Sequence, residues 1–132
     1  MNDLVLSSCV FITNAITAFY KKYYIYSALF VLLTVSSVIF HSVKDLYTYI
    51  FDLIVVCTII LYGGYLFHIK STAHNYNYQI ISVTMILVVI YLFICGYIIQ
   101  DYCYNIDKTI SNNYHSLVHI LSSVGLHFVI FL

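Results

Sequence analysis

The chain has 132 residues, 63% of them hydrophobic, with five lysines, five aspartates and neither arginine nor glutamate. Only 8% of the residues are charged, against about a quarter in an ordinary soluble domain, which excludes that class. The formal net charge is zero, which leaves no basic surface for nucleic acid or for a polybasic contact with lipid headgroups.

Long uncharged stretches set the expected fold: an all-α integral membrane protein, multi-pass, in which residues 1–132 form one transmembrane domain. Five helices are expected, over residues 3–20, 24–42, 48–69, 79–100 and 114–132. At 1.5 Å per residue, helices of this size cross or nearly cross a hydrocarbon core of about 30 Å. The first has no basic residues before it and ends in "FYKK" rather than a small-residue cleavage site. It is therefore expected to stay as a membrane helix and not to be removed as a signal peptide. The connections "YKKYY", "SVKDLY", "KSTAHNYNY" and "DYCYNIDKTISNN" hold most of the polar residues. Tyrosines gather at these junctions, as amphipathic rings do at headgroup level. Lysines divide three against two between the two sides, a balance that does not decide orientation.

Ionisable residues inside apolar segments are rare and mark function. Four stand out: His41, Asp52, His115 and His119, with Ser37 one turn before His41. Ser37 and His41, like His115 and His119, are spaced i, i+4, so each pair shares a helix face. With five crossings, the end of the second helix, the start of the third and the start of the fifth fall on one side. Parity thus gathers all five residues at one membrane face.

Three histidines there offer a neutral nitrogen cage for Zn2+, with a fourth position open for a water whose pKa falls toward about 7. Asp52 is then the expected proton shuttle, as general base and then acid. Ser37 is expected to orient Asp52 or the water, or to polarise a substrate carbonyl. A site within reach of lipid suits a lipid substrate bearing acyl chains. Against these stand plainer readings: His115 and His119 as a bundle-stabilising pair, Asp52 as a helix cap, Ser37 as a packing serine like Ser36. Asp45 is the better candidate cap for the third helix. His68 and His74 read as loop residues on the opposite side. His127 lies two turns beyond His119, about 12 Å along the axis, and is expected to bond between helices. Gly63, Gly64 and Gly96 read as close helix contacts. The four cysteines form no C-x-x-C pair and read as small buried hydrophobes.

The pattern resembles the CREST superfamily of membrane proteins, which includes alkaline ceramidases, progestin and adiponectin receptors, Per1-type proteins and a myomaker-like branch. Ser37 and His41 in "SSVIFHS", Asp52 in "YIFDL", and His115 and His119 in "YHSLVHILSSVG" carry the resemblance. The last of these is most similar to the myomaker-like and post-GPI-attachment branch. The resemblance implies a zinc site of His41, His115 and His119 beside Asp52 and Ser37, and hydrolysis of a lipid amide or ester. It equally permits a non-enzymatic fusion, receptor or scaffold protein that keeps zinc for structure. Family members usually have seven helices. Five would remove walls of the usual lipid cavity and imply a homo-oligomer, a partner membrane protein or an open cleft. The acidic calcium-binding segment of the ceramidases has only Asp3 as a counterpart, which disfavours calcium regulation.

Overall fold

The computed structural model describes residues 3–132. It is helical, with no strand among the described residues, and five helices are long and apolar enough to cross a membrane. These are Asp3–Tyr20, Tyr24–Val43, Leu46–Lys70, Ala73–Ile99 and Lys108–Phe131. The first is broken into α1 (Asp3–Ser8) and α2 (Phe11–Tyr20). The second is α3 (Tyr24–Val43) and the third α4 (Leu46–Lys70). The fourth comprises α5 (Tyr76–Ile90), a π-helical turn over Tyr91–Cys95, and α6 (Gly96–Ile99). The fifth is α7 (Lys108–Phe131).

Helix starts follow capping chemistry more than hydropathy. Asp45 precedes α4 and its Oδ1 accepts from the Thr48 amide at 2.8 Å, the cap expected from the sequence. Asp107 does the same for α7, accepting from Thr109 and Ile110. That cap starts α7 six residues before the expected 114, because the polar "KTISNN" takes helical backbone although it lacks apolar periodicity. Between α6 and α7 the chain doubles back, with the Asp101 amide donating to the Gly96 carbonyl at 3.0 Å. A Cβ on Gly96 would stand 2.8 Å from the Asp101 carbonyl oxygen. The close approach at Gly96 is therefore to its own following loop and not to a second helix.

The helices form an arc in the order α5, α7, α1–α2, α3, α4. α7 is its hub, packing on α5, α1 and α2 and touching α4. Tyr26 and Phe30 of α3 are fully buried at the centre, against Ala18 of α2, Ile59 of α4 and Ile130 of α7. Gly63 of α4 leaves room for Tyr26, whose hydroxyl would lie 2.6 Å from an added Cβ; Gly64 faces open space. Although consecutive in sequence, α4 and α5 share no packed face, and theirs are the least buried spans. At the far end of α7, the Lys70 ammonium donates to the Val129 and Ile130 carbonyls at 3.0 and 2.8 Å. Those carbonyls belong to the last helical turn, which has no intrahelical donors left.

Candidate metal centre

His41 lies in the last turn of α3, which ends where Lys44 takes left-handed backbone and its amide closes onto Phe40. Phe40 in turn packs on Tyr49, holding the start of α4 beside the end of α3. His115 and His119 stand one turn apart on α7, near its start. Antiparallel packing of α3 and α7 through α1 and α2 brings the three rings together. Ring centroids are 5.0 Å apart for His41 and His115, 5.2 Å for His41 and His119, and 5.0 Å for His115 and His119. One nitrogen from each lies within 4.8 Å of the other two. Three nearby histidines from two helices can hold a metal ion.

The surroundings close the cluster with apolar rings. Phe11 of α2 meets His119 at 5.7 Å, and Phe93, carried on the π-helical turn, meets His115 at 5.5 Å. A π-helical turn re-aims side chains and often accompanies a functional site. His41 and His119 are buried, His115 partly so. Neither His41 nor His115 has a hydrogen-bond partner among the described residues. Imidazole nitrogens that face one another among apolar rings have few hydrogen-bond partners within reach, and a cation shared by them would satisfy their lone pairs. The residues therefore fit a metal ion, and the group contains neither thiolate nor carboxylate.

His119 has one further partner. Its Nδ1 is 2.9 Å from the Ser7 hydroxyl of α1, and Ser7 also donates to the Leu4 carbonyl at 3.0 Å. Sequence reasoning passed over Ser7; the signal was a pair of adjacent serines, Ser7 and Ser8, in an otherwise apolar helix.

Asp52 lies on α4 facing α3, half-buried, and is outside the group of converging nitrogens. Its Oδ1 accepts from Ser36 at 2.6 Å. The serine expected beside it, Ser37, is buried elsewhere: its hydroxyl pairs with Ser8 at 3.0 Å. Ser8 spends its proton on the Leu4 carbonyl, so Ser37 is the donor in that pair. Of the roles expected for Ser37, the contact with Asp52 is thus made by Ser36 instead. One residue is a rotation of 100° on a helix, enough to turn Ser36 toward α4 and Ser37 toward α1.

The chain matches no family model, no curated protein and no solved structure.

The remaining histidines sit apart. His68 and His74 are exposed near the opposite end, as expected for loop-side residues. His127 bonds across helices, its Nδ1 2.8 Å from Asn14 and its Nε2 3.3 Å from Thr17. Asn14 also donates to the Ser123 carbonyl at 2.9 Å and accepts from the Ser123 hydroxyl, so α2 and α7 are tied by a fully engaged polar patch. The four cysteines are unpaired, and only Cys103 is buried.

Proposed function

We propose that the chain is a membrane-embedded, zinc-dependent hydrolase acting on an acyl-lipid amide or ester. The observation that carries this reading is the convergence of His41, His115 and His119 within 4.8 Å. Three neutral nitrogens with no fourth protein ligand are the donor set of zinc sites that keep a coordination position open. Zinc held there would supply Lewis acidity and lower the pKa of a water toward about 7. Asp52 is the proton acceptor on this reading, and Ser36 aims its carboxylate by donating to Oδ1. Phe11 and Phe93 keep the imidazoles out of bulk water. On this reading substrate reaches the site from the bilayer. The resemblance to the CREST superfamily at Ser37, His41, Asp52, His115 and His119 supports the same reading, in a bundle shortened from seven helices to five.

One observation favours a second reading. Asp52 lies outside the converging group and is occupied by Ser36, which suits a structural zinc site in a non-enzymatic fusion, receptor or scaffold protein.

Purified protein in detergent, analysed for bound metal and for release of fatty acid from a panel of acyl amides and esters, separates the two. On the enzyme reading, Asp52→Asn retains zinc and lowers turnover by about 10²–10⁴-fold, while His115→Ala loses zinc. Turnover indifferent to Asp52→Asn, with a stability that falls on chelation, favours the structural site. Protein with less than stoichiometric zinc overturns both.

A further inference from the structure

Ser7 belongs to the first span, which none of the three histidines occupies, yet it touches the cluster directly. Its position follows from the break between α1 and α2: α1 packs on both α3 and α7, at the level where His119 points inward. A serine hydroxyl has one proton to give. Ser7 gives it to the Leu4 carbonyl, one turn back along α1, at 3.0 Å. With that proton on Leu4, the Ser7 oxygen accepts at its 2.9 Å contact with His119 and Nδ1 carries the hydrogen; the Leu4 carbonyl also accepts from Ser8 at 2.8 Å, so the tautomer of His119 is the quantity to be read. A neutral imidazole with Nδ1 protonated has Nε2 bare.

We propose that Ser7 is a positioning residue that fixes His119 in the Nδ1–H form and presents its Nε2 lone pair to the centre of the cluster. The inference rests on the metal-binding reading given above and names a residue outside the histidine set for it. It accounts for an asymmetry in the cluster, since among the described residues only His119 of the three rings has a hydrogen-bond partner. A ligating imidazole whose other nitrogen donates to a fixed acceptor has its ring orientation and tautomer set in advance. It also gives the first span a task at the site, since α1 contributes no ligand.

The test uses the full chain in detergent, with ¹⁵N-labelled histidine, as Ser7→Ala, Ser7→Cys and Ser7→Thr variants beside Ser42→Ala, an exposed-serine control on α3. In the metal-free wild type, nitrogen NMR should show His119 as the Nδ1–H tautomer. In Ser7→Ala and Ser7→Cys that signal should give way to a tautomer mixture, and Ser7→Thr should restore it. Zinc affinity, read by competition with a chelator, should fall by about 10–100-fold in the first two variants and recover in the third. Ser42→Ala should match the wild type. Either variant lacking the hydroxyl, folded and with His119 still wholly Nδ1–H or zinc bound as tightly as in the wild type, overturns the role of Ser7. A wild type that binds no zinc instead overturns the metal reading, and the tautomer signal still decides the contact.

Discussion

Tyr26 brings a hydroxyl into the centre of the bundle, where it is fully buried and has no hydrogen-bond partner among the described residues. An unsatisfied buried hydroxyl costs about 1–3 kcal/mol. Tyr26→Phe should therefore raise stability, read as a higher unfolding midpoint in detergent. Asp45 makes the opposite case, an exposed carboxylate whose Oδ1 accepts from both the amide and the hydroxyl of Thr48. The Thr48 amide bonded to its carboxylate, with a smaller contribution from the Thr48 hydroxyl, holds its pKa below the usual carboxylate value. A group whose folded pKa is lowered stabilises the fold above its unfolded value of about 3.9, and loses that contribution as the pH falls through the folded value. The start of α4 should loosen below about pH 4 for that reason. Asp45→Asn, which keeps a cap without the titrating charge, should flatten this part of the acid dependence, as followed by unfolding midpoints across pH 2–7 (a range of about 5 pH units around the carboxylate value). The site residues themselves show what a sequence can reveal at this scale. His41, His115 and His119 were legible because i, i+4 spacing sets a shared helix face and the alternation of five long helices sets which helix ends meet. The partner of Asp52 was not, since Ser36 and Ser37 are adjacent and only the rotation of α3 against its neighbours decides which one faces α4.

Close packing of one helix on another depends on single positions. Gly63 and Gly64 look alike in sequence, but a methyl group at Gly63 would meet the Tyr26 hydroxyl at 2.6 Å and one at Gly64 would meet nothing within 4 Å. Gly63→Ala should destabilise by about 1–3 kcal/mol through overpacking, while Gly64→Ala should be neutral or mildly stabilising, as expected for an open helix position. Because the clash is with the tyrosine oxygen, Gly63→Ala should cost less in a Tyr26→Phe background, and a double-mutant cycle of unfolding free energies measures the coupling. The spans were legible from hydropathy, but their ends were less so. α7 begins at Lys108 because Asp107 supplies a cap, and polarity in its first turns concealed the helix. The break after Ser8 has no proline or glycine to announce it, and the π-helical turn at Tyr91–Cys95 has none within it, Gly96 only following it. Both arise from packing: one sets Ser7 and Ser8 against α7 and α3, and the other sets Phe93 against His115.

At the scale of the molecule, the arc separates two kinds of end. The cluster lies at the end with Asp45, Asp101, Asp107, Lys44 and Lys108; the opposite end carries Lys21, Lys22 and Lys70 and no aspartate among the described residues. At that opposite end Lys21 and Lys70 contact α7 and the residues around its terminus. Lys21 lies over the Phe131 ring and Lys70 over Tyr23, while the Lys70 ammonium also bonds the Val129 and Ile130 carbonyls. α4 meets α7 over a small area, so this tether helps hold the third span against the hub. Engagement of an amine by two carbonyls has a chemical corollary. Lys70 should acylate more slowly than Lys21 or Lys22 when intact protein is treated with an amine-reactive ester and read by peptide mass spectrometry. As the tail of α7 detaches from α4, its reactivity should rise to theirs, turning one nucleophile into a gauge of whether the bundle is latched.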